Sequence, residues 1–303
     1  LLLDGFYQYF SGYNILNYKW DGDRLSSLFG EEKILGSFLS RIMPFILAII
    51  FSIKKNTKLV YFSLLLLVAS DVLIVISGDR TAAFYLFLST LIIIILIDRF
   101  KILRLITFIF SLILIFVIIQ YSKPVKERII EKTINEFVVN NEEQNQKNLS
   151  FFNKLYFFTP THTNYAKVSL KMFYDKPLFG VGPKLYRYEC LNSKYFVDNK
   201  QYCNTHPHNT YLQLLAETGI VGFLFIFIFL LWTIKKLIYQ LYFIIVFNKY
   251  YYSSFLICIL VTILISIFPI VPSGSFFNQW LNVIYFLPIG FLLNEIIEKK
   301  DLK

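Results

Sequence analysis

The sequence predicts an all-α fold, a polytopic transmembrane helix bundle with a long, partly helical extracytoplasmic loop. Three observations predict it. The 303 residues are 56% hydrophobic and hold 33 Phe and 21 Tyr beside 12 Gly, above the roughly 45–50% apolar usage of soluble domains. The apolar residues are gathered in runs near the roughly 20 residues that cross a hydrocarbon core. Basic residues collect in alternate connections between those runs.

Seven spans are expected, at 34–53, 59–76, 81–97, 103–119, 210–234, 252–271 and 280–297. They are too long and too apolar for buried strands. The last contains Pro288 and Gly290, which membrane helices tolerate better than soluble ones. Lys54, Lys55 and Lys58, then Arg99, Lys101 and Arg104, then Lys235, Lys236 and Lys249, and finally Lys299, Lys300 and Lys303 fall on one side of such an alternation. The positive-inside rule makes that side cytoplasmic. Most of the net charge of +10 is therefore a topology signal, and no basic stripe is left for nucleic acid. The opening LLLDGFYQYF lacks a basic n-region and is not read as a signal peptide; the chain is expected to be a portion of a larger membrane protein. The reading divides it into membrane helices at 1–119, an extracytoplasmic region at 120–209 and membrane helices at 210–303.

A connection of about 90 residues is uncommon without structure or function of its own. Val125, Ile129, Ile130, Ile134, Phe137 and Val138 recur at mostly helical spacing among charges, which suggests an amphipathic helix resting on the membrane or on the bundle. Residues 140–150 read as a polar link, and 161–177 as a helix ended by Pro177. Gly180 and Gly182 flank Val181 ahead of Pro183, a tight turn that lets backbone approach something closely. Cys190 and Cys203 have twelve residues between them; a disulfide is allowed outside the cytoplasm, and two free, buried thiols are the alternative. Met172 and Phe173 are read as core.

Charged groups at membrane depth or on its edge are costly unless paired, which singles out Arg24, Arg41 and Arg80. Arg80 has Asp79 as a simple ion-pair partner; Arg41 either snorkels or pairs with Asp71. In NTHPHNTYLQLLAETGIVGF, Asn204 or Thr205 is expected to cap a helix beginning near Pro207, with His208 in its first turn. The helix dipole would hold that imidazole neutral and able to accept a proton. The free amides of the helix start suit a phosphate. A neutral base, an anion-friendly helix start and arginines suit transfer chemistry on a lipid whose leaving group is a pyrophosphate. His206 and His208, two positions apart, would point in different directions on a helix, and His162 is the only other histidine, so no metal site is expected.

These residues carry a resemblance. His208-Asn209, nine residues, Gly219, two residues and Gly222 resemble the signature of the O-antigen ligase and O-antigen polymerase superfamily of bacterial inner-membrane proteins. RLSSLFGEEKILGSFLSR (24–41), SGDRTA and DKPLFGVGPKLYRYEC resemble three further family segments, in the family's order. The resemblance implies transfer of a glycan from undecaprenyl pyrophosphate to lipid A-core or to another lipid-linked repeat, without metal, nucleotide sugar or other cofactor. It implies His208 as the catalytic histidine, Arg80 as the arginine on the pyrophosphate and Arg24 at a position often basic in related chains. Asn209 and His206 belong to the histidine motif and are expected near the substrate. Ligases of the family carry a further essential arginine before the glycine turn; here that neighbourhood has His162, with Lys167, Lys171 and Arg187 nearby. Gly219 and Gly222 would allow close helix packing beneath the site. Glu217 would orient a basic group or act as an interfacial partner of Lys and Arg.

The partners this implies are the lipid-linked glycan, an acceptor glycan or lipid A-core, membrane lipids and other polysaccharide assembly proteins. The rival class is a transporter or flippase of the same lipid, which would place polar, broken helices at the bilayer midplane. Residues 120–209 are expected outside and Lys303 inside. A cysteine introduced at Asn145 should react with an impermeant thiol reagent on intact cells; labelling only after permeabilisation would invert the topology.

Overall fold

The structure is a computed structural model that describes residues 1–52, 57–135 and 160–301. It is predominantly helical, and among the described residues the extended segments amount to two isolated bridges, Tyr13 with Lys19 and Val197 with Lys200. In chain order the helices are α1 (Leu2–Ser11), α2 (Leu35–Ser52), α3 (Thr57–Ile76), α4 (Arg80–Leu96), α5 (Lys101–Tyr121), α6 (Lys123–Lys126), α7 (Pro160–Asp175), α8 (Tyr186–Glu189), α9 (Thr210–Phe247), α10 (Ser254–Ser266) and α11 (Gln279–Asp301). Each of the seven apolar runs contains one of these helices or part of one. Among the described residues, α5 and α9 are the two that are long and apolar enough to cross a membrane. Lys54, Lys55, Phe137, Val138, the 140–150 link, Asn145 and Lys303 lie outside the described residues.

Two compact units make up the chain: residues 1–133, 233–266 and 284–303 form one, and residues 134–232 and 267–283 form the other. In the first, α2, α3, α4, α5 and α10 pack side by side. Every residue of α10 but Phe255 is buried, as expected of a helix that is hydrophobic all round. It has 13 residues, shorter than the expected 252–271, because the chain turns away before Pro269 and Pro272. Conversely, α9 continues through Lys235 and Lys236 to Phe247, so those lysines are helical and not in a connection. Gln240 fastens this part of α9 inside the unit: its Nε2 donates to Leu96 O (3.0 Å), and its Oε1 accepts from Tyr252 N (2.8 Å).

The charge pairing differs from expectation. Asp71, fully buried on α3, takes a bidentate pair from Arg104 of α5 (2.7 and 3.0 Å) and a hydroxyl from Ser111 (3.1 Å), while Arg104 also donates to Thr90 of α4 (2.7 Å). Arg104 is thus a buried partner within α5 and not part of the connection before it. Arg41 does not pair with Asp71; it lies 4.6 Å over the ring of Tyr85 and donates to the backbone and hydroxyl oxygens of Ser37. A planar fork matches a carboxylate edge, and Arg104 brings two donors to it with a third for Thr90.

In the second unit, Val168, Met172, Val181, Tyr186, Cys190, Tyr195, Val197 and Ala216 form one core. Met172 and the loop's own turns therefore fold on a shared apolar centre. Removing one partner of the Asp71–Arg104 pair leaves an uncompensated buried charge, so Asp71→Ala should cost about 3–5 kcal/mol, read as a lowered unfolding midpoint in detergent. The double replacement Asp71→Leu with Arg104→Met should recover most of that loss.

Candidate functional site

In the second unit the glycine turn and the start of α9 form one backbone joint. Gly219 has φ 65° and ψ −162° inside α9, a conformation that essentially only glycine adopts, so the helix is broken there. The break frees carbonyls and amides that the turn at 177–182 satisfies: Val181 N donates to Ala216 O (2.9 Å), Gly182 N to Glu217 O (2.9 Å), and Ile220 N to Pro177 O (2.8 Å). A Cβ on Gly180 would sit 2.5 Å from Glu217 C, and one on Gly219 2.4 Å from Leu178 O. Gly219 breaks the helix and lets the backbone of Leu178 and Phe179 come close, while the space beside Gly222 is taken by the side chain of Thr218 on the same helix, 2.1 Å from where a Cβ would stand. Glu217 is fully buried and accepts from Tyr186 N (2.9 Å) and Gln213 Nε2 (2.9 Å). It therefore holds the turn after Gly182.

Helix α9 begins at Thr210, and its cap is Asn209, whose Oδ1 accepts from Tyr211 N (3.0 Å) and Leu212 N (3.1 Å) while its Nδ2 donates to Pro269 O (2.7 Å). The expected start near Pro207 is corrected, because His208 has φ 56°, left-handed backbone that cannot continue a helix. His208 stands before the cap, with its carbonyl bound to Ser273 N (2.9 Å). Ser273 also meets Thr210 through their hydroxyls (2.9 Å), and Gln213 binds Ser275 Oγ (3.0 Å) and Phe276 N (2.8 Å). The 267–276 segment thus cradles the histidine corner.

All three histidines meet there. Ring centroids are 4.2 Å apart for His206 and His208 and 5.7 Å for His162 and His208, with Tyr165 at 5.8 Å from His208. His162 and Tyr165, three apart on α7, share a helix face. Among the described residues, no group of three or more His, Cys, Asp or Glu is arranged to hold a metal ion. Asn204 Oδ1 accepts from Thr205 N (2.7 Å), which fixes its amide so that Nδ2 donates to His208 Nε2 (3.0 Å). His208 Nε2 is therefore the acceptor nitrogen. His206 Nε2 faces Ser273 O (3.3 Å) and its Nδ1 faces Thr205 Oγ1 (2.9 Å). Burial is the main reason the His206 imidazole is pushed down to about 4; the Ser273 carbonyl opposes this and the Arg187 guanidinium adds to it. Arg187 itself is exposed on α8. Cys190 and Cys203 are bonded, with Cα atoms 5.2 Å apart, tying α8 to the segment that enters Asn204.

The first unit gathers cations at the corner between α3 and α4. Asp79 Oδ1 caps α4 through Thr81 N (3.0 Å) and Ala82 N (3.3 Å), and Arg80 reaches Thr133 Oγ1 (3.5 Å). Leu25 N binds Ser77 O (3.0 Å), which brings Arg24 to the same corner. Arg128, which sequence reasoning missed, donates from Nε to Gly78 O (3.1 Å) and pairs with Asp23 (3.1 Å). It stands on a π-helical turn, Glu127–Glu131, closed by Lys132 N on Glu127 O. The i, i+4 spacing of Arg128 and Lys132 in KERIIEK was the available signal.

A family profile described as O-antigen ligase matches residues 62–227, more than half of the chain. The chain belongs to the O-antigen ligase family. The matched segment contains Arg80, Arg128, the glycine turn, all three histidines and the α9 break. No curated protein and no solved structure matches the chain. The family assignment supports a glycan-transfer role and agrees with the resemblance carried by the four motifs.

The depressed His206 gives a pH signature. Its folded value of about 4 lies below the ordinary 6.5, so above pH ~6.5 folded and unfolded chains are both neutral there. Between those values only the unfolded chain takes up the proton, and stability falls as pH drops through that window, by on the order of 3 kcal/mol at most. Unfolding midpoints from pH 7 to 4 should fall less steeply in His206→Gln than in the parent.

Proposed function

We propose that this chain transfers a glycan from undecaprenyl pyrophosphate to an acceptor sugar hydroxyl at the outer face of the bacterial inner membrane, as an O-antigen polymerase or ligase. The observation that supports the reading most is the single family-matched segment that carries both Arg80, amid its cationic neighbours, and His208, whose acceptor nitrogen is held by Asn204. The chain is read as a multi-pass membrane protein with residues 120–209 facing the periplasm.

In this mechanism the acceptor hydroxyl takes the place of the Asn204 amide at His208 Nε2. Its proton passes to that nitrogen as its oxygen bonds to the anomeric carbon of the donor. The bond from that carbon to the diphosphate oxygen breaks, and the electron pair leaves with undecaprenyl pyrophosphate, whose growing charge Arg80 holds in a fork. Direct attack inverts the anomeric configuration. His162, His206 and Tyr165 shape the pocket for the acceptor, and Arg24 assists at the diphosphate. The acceptor is another lipid-linked repeat in a polymerase and lipid A-core in a ligase.

General-base catalysis contributes about 10²- to 10⁴-fold, so His208→Ala should lose that factor in release of undecaprenyl pyrophosphate from lipid-linked donor and acceptor in liposomes. Arg80→Lys keeps charge without the fork and should also be impaired. A well-folded His208→Ala protein within a factor of two of the parent would overturn the mechanism. Activity abolished by a chelator and restored by zinc would replace it with a metal reading of the histidine corner.

A further inference from the structure

The cation group of the first unit contains more than the mechanism uses. Arg24, Arg80, Arg128 and Lys132 surround the Ser77–Gly78–Asp79 corner, against the carboxylates of Asp23 and Asp79. Asp79 is engaged in capping α4. Gly78 makes the convergence possible: at φ +78°, a Cβ there would lie 2.2 Å from Asp23 O and 3.3 Å from Arg128 Cγ.

We propose that Arg128 and Lys132 are the second arm of a diphosphate seat whose first arm is Arg80 with Arg24, and that Asp23 is the carboxylate a diphosphate displaces. The inference rests on the donor chemistry of the preceding subsection and adds to it which residues hold the leaving group. Arg128 is positioned in advance: its side chain is 12% exposed, Nε is fixed on Gly78 O, and a guanidinium has five N–H donors. Asp23 sits between Arg128 Nη1 (3.1 Å) and Lys132 Nζ (3.4 Å), the arrangement a phosphate edge would take over. Arg24 Nε is buried with no hydrogen-bond partner among the described residues, a donor still lacking its acceptor. Burial first, and then the like charges of Arg24 and Arg80, push the Arg128 guanidinium below its ordinary value against the pull of Asp23 and Asp79. Asp23 is shared between Arg128 and Lys132, and a diphosphate would bring more negative charge to the same donors. The π-helical turn is the local device, since such turns occur often at functional sites.

The test is calorimetric binding of inorganic pyrophosphate to the full chain in nanodiscs at fixed low salt. Arg128→Gln should weaken binding on the order of tenfold or more, comparably to Arg80→Gln, and Arg128→Lys should recover part of it. Lys132 is 55% exposed, so Lys132→Gln probes the seat without disturbing packing and should weaken binding severalfold. Asp23→Asn removes the competing carboxylate and should tighten it. Arg128→Gln and Lys132→Gln proteins that bind pyrophosphate within twofold of the parent, while Arg80→Gln loses it, would overturn the second arm and leave the transfer mechanism standing. A parent that binds pyrophosphate through Arg128 but releases no undecaprenyl pyrophosphate from donor and acceptor would overturn the mechanism and leave the anion seat.

Discussion

The second unit depends on an exchange of backbone hydrogen bonds between a broken helix and a tight turn. A helix interrupted in an apolar setting exposes carbonyls and amides that cost free energy unless paired. The turn at 177–182 supplies those partners, and the break at Gly219 accepts them. Glu217 reinforces the joint through Tyr186 N, and the apolar core under α7 and α8 closes over it. The histidine corner lies one short helical segment, 210–218, before this joint. Its position follows from the joint as much as from its own contacts.

Much of this was legible in the sequence, and the limits have physical causes. The seven apolar helices follow from long runs that no strand could use. Their lengths follow less well, because hydropathy does not feel where a chain must turn: α10 stops before two prolines, and α9 runs past two lysines whose stems can lie along a helix. Arg104 reads as a cytoplasmic flank by position alone, yet a carboxylate a helix away captures it. Pairing across space has no fixed spacing, so Asp71 looked equally available to Arg41.

At the site, the glycines signalled a close backbone approach, and the chain alone could not say to what. The cap lies four or five residues beyond the expected one because Asn204, Thr205 and Asn209 are all competent caps, and the choice is made by Pro269 and Ser273 on a distant segment. Asn204 instead orients His208. Arg128 was passed over because its surroundings read as an ordinary amphipathic helix; nothing in KERIIEK announces a π-turn or the partner carboxylate at Asp23.

The buried pair of Asp71 and Arg104 has a consequence for how the chain is made. On the membrane reading, α3 leaves the ribosome carrying a carboxylate that is expensive in lipid until it is paired. Its counter-ion arrives only with α5, after α4 has been synthesised. Thr90 on α4 also binds the guanidinium, so the three helices share one polar knot. They are therefore best released into the bilayer together, α3 waiting beside the translocon until α5 emerges. On that reading the pair would couple the insertion of a hairpin to the helix that follows it, a matter of timing in biogenesis.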